Sequence, residues 1–96
     1  MGFAEQFDEV MGQIGLAYFG PGEVFTDPGD VAAILLAHAE DHEEDDEPGP
    51  VRILRMAAER LTIAGAVALR EADRLKAAEE ALALVKLYRK AQEGAS

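Results

Sequence analysis

Residues 41–50 read Asp41-His42-Glu43-Glu44-Asp45-Asp46-Glu47-Pro48-Gly49-Pro50. Like-charge repulsion and two prolines both oppose regular structure there, so the segment from 40 to 50 reads as a long, exposed acidic loop. It divides a 96-residue chain into unlike halves. Residues 1–50 carry 13 carboxylates and no Lys or Arg, a balance of -13. Residues 51–96 carry all nine basic residues and six acidic ones, a balance of +3, which together make the net -10. Such asymmetry is expected of complementary interaction surfaces. A solvated acidic loop beside an ordinary surface is the plainer alternative.

Length sets the next bound. At 96 residues the chain has room for one core, so residues 1–96 are read as a single domain. A domain this small has a thin stability margin, and with no cysteine it has no disulfide to widen it. Association is the expected remedy. No stretch approaches the roughly 18 apolar residues of a membrane span, and the N-terminus has no basic, apolar leader. The expectation is a protein that stays in the cytoplasm where it is made. The acidic balance opposes direct attachment to nucleic acid, because phosphate binding depends on Lys and Arg.

Phe3, Phe7, Val10, Met11 and Ile14 recur at steps of three and four, which predicts a short amphipathic helix over Phe3 to Leu16. Gly20-Pro21-Gly22 and Thr26-Asp27-Pro28-Gly29-Asp30 are turn-forming. Val31 to Ala39 is apolar apart from His38 and fits either a buried strand or a helix capped by Asp30. The second half is divided. Leu54, Leu61, Ala68, Leu75 and Leu82 fall every seven residues, and by propensity residues 51–92 form a helical hairpin or coiled coil. Thr62 to Val67 interrupts that pattern, and Val51 to Met56 and Leu82 to Tyr88 also suit strands.

The order of segments resembles the head-tail joining, or head-closure (stopper), proteins of long-tailed phages and gene transfer agents. Phe7 to Val10 running into Tyr18-Phe19-Gly20-Pro21-Gly22-Glu23-Val24-Phe25-Thr26-Asp27-Pro28-Gly29 looks like that family's short helix and first hairpin. Val31 to Leu36 with the acidic tract looks like its next strand and long loop. Val51 to Met56, Leu69 to Leu75 and Glu80 to Val85 follow its later strands, although Ala72 and Ala77-Ala78 stand where turn glycines belong. The resemblance implies a mainly β, small barrel-like domain with a short N-terminal helix and a long acidic loop. The mostly helical reading of residues 51–92 stays open as the alternative.

The resemblance further implies a virion structural protein: a subunit of a ring, expected to be hexameric, that closes the DNA-filled head and joins it to the tail. Its partners would be further copies of itself, portal or adaptor proteins, and tail-terminator proteins. DNA would pass without specific binding, and the particle would be assembled at the head-tail junction of a bacterial virus. Asp41, Glu43, Glu44, Asp45, Asp46 and Glu47 would line the channel or dock a neighbouring ring. Phe19 and Phe25 are candidate interface anchors. The alternatives are an acidic DNA mimic or a helical interaction module that regulates a partner protein.

Residues for chemistry are sparse. His38 and His42 would share a helix face, but Ala39 stands where a zincin-type pair needs Glu, so no metal site is expected. There is no Cys, and Ser96 is terminal. No catalytic residue, cofactor or small-molecule substrate is expected.

Overall fold

The computed structural model describes residues 2–22 and 26–94, and all its regular structure is helical. Four helices follow one another: α1 (Phe3–Phe19), α2 (Pro28–Glu44), α3 (Pro48–Ala64) and α4 (Glu71–Gly94). No strand occurs among the described residues. The mainly β, barrel-like expectation is therefore overturned, and the mostly helical alternative fits.

The reasons are local. Alanine resists the positive φ of tight hairpins and is the best helix former, so Ala72, Ala77 and Ala78 extend a helix where the resemblance wanted turns. Val31 to Ala39 is helical because Asp27 caps it. The Asp27 carboxylate accepts from Gly29 N–H at 2.9 Å, and Pro28 occupies the first turn. The cap is thus Asp27, three residues before the expected Asp30.

The long acidic loop is also corrected. Asp41, Glu43 and Glu44 form the last turn of α2, and only Asp45, Asp46 and Glu47 connect it to α3. Pro48 and Pro50 lie in the first turn of α3, where a missing N–H breaks no helical hydrogen bond. The connection is a Schellman cap. Asp46 adopts φ 57°, Glu47 N–H donates to His42 O at 2.9 Å, and Asp46 N–H donates to Glu43 O at 3.1 Å.

The α3–α4 connection runs from Gly65 to Arg70 and overlaps the interruption expected at Thr62 to Val67 only over Gly65 to Val67, since Thr62 to Ala64 complete α3. Leu54 and Leu61 are fully buried on α3, Leu75 and Leu82 are partly buried on α4, and Ala68 is exposed between them. The seven-residue row is therefore two helices of a hairpin and not one coiled coil.

Side-chain contacts fix the directions. Arg74 of α4 donates to Ala64 O at the end of α3, and its guanidinium lies over Phe3 and Phe7 at the start of α1. Gly65 lies against Pro28, the first residue of α2. At the opposite end Tyr18 of α1, His42 of α2 and Tyr88 of α4 converge. Helices α1, α2 and α4 consequently run parallel and α3 runs against them. Both α2–α3 and α3–α4 are antiparallel hairpins, and α1 lies along α4.

The core is built from Met11, Ile14, Val31, Leu35, Leu54, Leu61 and Val85, none of them exposed. Ala57, Ala58 and Ala64 of α3 and Ala77, Ala78 and Ala81 of α4 are buried as well. Small side chains let helices approach closely, so this hairpin packs tightly without aromatic bulk.

Candidate functional site

Three parallel helices bring three C-termini to one end of the bundle, where their carbonyls carry partial negative charge. Cations answer it. Arg89 of α4 donates to the Ala17 and Tyr18 carbonyls in the last turn of α1. Its guanidinium lies over the Tyr18 ring, 5.0 Å from the centroid. Arg89 thus does for the end of α1 what Arg74 does for the end of α3.

Inside this end lies a cluster of polar side chains. Tyr18 Oη is paired with His38 Nδ1, and the Tyr18 and Tyr88 rings lie against each other. Tyr88 Oη meets His42 Nε2 at 2.7 Å. His42 Nδ1 is buried without a hydrogen bond, and Glu47 Oε1 stands 3.7 Å from it. Aromatic contacts hold the rings, with Tyr18 stacked on His38 at 5.5 Å and tilted against Tyr88 at 5.6 Å. Phe19 closes the cluster edge-to-face on Tyr18.

Burial raises the Tyr18 phenol above its ordinary value; a charged Tyr88 would raise it further, and Arg89 opposes. Burial likewise raises Tyr88, with Arg89 opposing and Glu47 adding to the rise. Both phenols are thus held neutral at ordinary pH, as hydroxyls able to donate and accept.

A second feature lies on the outer face of α2 and α3. Arg52, Arg55, Met56 and Glu59 of α3 line an open groove with Glu43, Asp46 and Glu47. Met56 and Glu59 also belong to a neighbouring groove with Arg60, Glu80, Ala83 and Leu84. Met56 is 47% exposed and Leu36, seven residues before Glu43 on α2, is 44% exposed. Glu43 Oε2 accepts from Arg55 Nη2 at 2.6 Å across the hairpin.

The residues singled out in the sequence are distributed between these features. Glu43 and Glu47 are engaged as described, and Asp41, Glu44, Asp45 and Asp46 are exposed around the end of α2. Of these six, Asp45, Asp46 and Glu47 form the turn between α2 and α3, and the other three lie in the last turn of α2. Phe19 is half-buried and packs against the core. Phe25 lies outside the described residues. His38 and His42 share a face of α2, but each turns to a tyrosine, and no group of three His, Cys, Asp or Glu that could hold a metal occurs among the described residues.

Tyr18, Tyr88 and Arg89 were not expected as site residues. The four-residue spacing of His38 and His42 was the only local signal, because Tyr18 and Tyr88 are 70 residues apart and meet through tertiary packing. No helix among the described residues is long and apolar enough to cross a membrane.

No family model, curated protein or solved structure matches this chain.

Proposed function

We propose that this chain is a helical interaction module that works by binding protein through the outer face of its α2–α3 hairpin, and that its first partner is a second copy of itself. One observation carries the reading: an acidic helix and an arginine-bearing helix lie side by side with large apolar side chains exposed between their charges. Within α2 the charged side chains are Asp30, Glu40, Asp41, Glu43 and Glu44, with no Lys or Arg, whereas α3 carries Arg52, Arg55 and Arg60 against a lone Glu59.

Such a face is self-complementary about a two-fold axis. Turned over, α2 of one copy meets α3 of the other twice, and the contact closes without generating a filament. Leu36 and Met56 supply apolar contact, at roughly 25 cal/mol for each Å² buried. The charges set register and discourage like faces from meeting. The head-tail joining role retains only the charge asymmetry in its favour, because the strands that carried the resemblance are replaced by helices.

Analytical ultracentrifugation across a concentration series tests the proposal. Wild type should show a dimer, and Met56→Asp should leave a folded monomer with an unchanged far-ultraviolet circular dichroism spectrum. Arg52→Glu should also weaken association, and mixing it with Glu40→Arg should restore a mixed dimer. A wild-type chain that stays monomeric at every concentration overturns the reading.

A further inference from the structure

The row Glu5, Glu9, Gly12, Leu16 recurs at steps of four, three and four along α1, on the side turned away from the buried Phe7, Met11, Ile14 and Tyr18, and every member is exposed. Leu16 is 58% exposed. On α4 the row Ala83, Leu87, Lys90, Gly94 repeats the same steps on the side turned away from Ala78, Ala81 and Val85. It too is exposed throughout, with Leu87 at 51%. Neither row contributes to the groove between α2 and α3.

The fold of one copy does not account for Gly12. A glycine inside a helix costs stability relative to alanine, and a Cβ added here would meet no atom within 4 Å. Charge is one-sided on both rows. Helix α1 carries Glu5, Asp8 and Glu9 without Lys or Arg, whereas residues 81–92 of α4 carry Lys86, Arg89 and Lys90 without a carboxylate. Among the described residues Glu9 and Lys90 form no ion pair within the chain.

We propose that the outer row of α1 docks antiparallel on the outer row of α4 of a second copy. In that register Leu16 falls opposite Ala83, Gly12 opposite Leu87 and Glu9 opposite Lys90. Each leucine thus meets a small residue: Leu87 enters the notch at Gly12 and Leu16 covers Ala83, so the two helices approach closely. Glu9 and Lys90 fix the direction. Run parallel with Leu16 against Leu87, the same rows would set Glu9 against Glu80.

Each copy presents both rows, so the contact is head-to-tail and engages one pair of helices, where the α2–α3 face engages two. It is the weaker joint and adds further copies to the dimer at higher concentration.

The chain has no cysteine, so introduced thiols report the pairing directly. A Gly12→Cys chain mixed with a Leu87→Cys chain under mild oxidation should give the mixed disulfide in about tenfold excess over either like pair. Glu9→Lys in the first chain should abolish the excess, and Lys90→Glu in the second should restore it. Arg52→Glu in both chains should leave the excess unchanged, because Arg52 borders the α2–α3 groove, so failure of one contact is read apart from failure of the other. Far-ultraviolet circular dichroism checks that each variant is folded. A mixture at the random ratio, or an excess indifferent to Glu9→Lys, overturns the proposal.

Discussion

Tyr18 and Tyr88 are the only tyrosines of a chain without tryptophan, so absorbance at 295 nm reports on the cluster alone. Both phenols are held above their ordinary value by burial. The unfolded chain therefore releases these protons at lower pH than the folded one. Their contribution to stability is whole below about pH 10 and declines as pH rises past it. Phenolate absorbance should rise together with loss of helix above that pH; smooth ionisation in a chain that stays helical would contradict the assignment. Burial also ranks the leucines. Leu61, fully buried between hairpin helices, should cost about 3 kcal/mol as Leu61→Ala. Leu16, 58% exposed, should cost under about 0.5 kcal/mol as Leu16→Ala. Urea denaturation measures both.

Helix ends decide the boundaries. Asp46 holds a left-handed conformation that glycine adopts without a Cβ clash, and its carboxylate adds negative charge beside the C-terminus of α2. Asp46→Gly should thus stabilise the fold by about 1 kcal/mol, read from the thermal or urea midpoint. Gly20, at φ 99°, closes α1 by donating to the Gly15 and Leu16 carbonyls. Gly20→Ala should destabilise by about 1 kcal/mol. Arg74 and Arg89 act at opposite ends of α4, each donating to the final turn of a neighbouring helix and covering an aromatic ring of α1. Arg74→Met and Arg89→Met should each cost about 1 kcal/mol and add in the double variant, because they share no partner.

The molecule measures 41 × 27 × 17 Å, and α1 and α2 carry eight carboxylates between them and no Lys or Arg. Salt therefore acts with opposite signs on folding and association. Screening relieves repulsion within α2, so the monomer should resist urea better as ionic strength rises toward 0.15 M, where charges are screened over about 8 Å. The same screening should weaken a dimer joined by the α2 carboxylates and α3 arginines. A dimer indifferent to salt would place its contact on apolar residues alone.

Much of this was written locally. The periodicity of Phe3 to Ile14 marked α1, the Ala-, Leu-, Glu- and Arg-rich composition marked the second half as helical, and Thr62 to Val67 marked where it breaks. Residues 41–50 misled, since repulsion and prolines do not by themselves forbid a helix. A Schellman cap absorbs the acidic run, and a first turn accepts the prolines. Segment order likewise suggested strands that alanine at Ala72, Ala77 and Ala78 disfavours.

Helix propensity, caps and charge partition were thus fixed by neighbours in the chain. The tyrosine–histidine cluster was not, because Tyr18, His38, His42 and Tyr88 meet only when three helices run parallel, and no local pattern specifies the direction in which helices pack. Tertiary packing alone decided that, by placing the Arg74 and Arg89 ends of α4 against the two ends of α1.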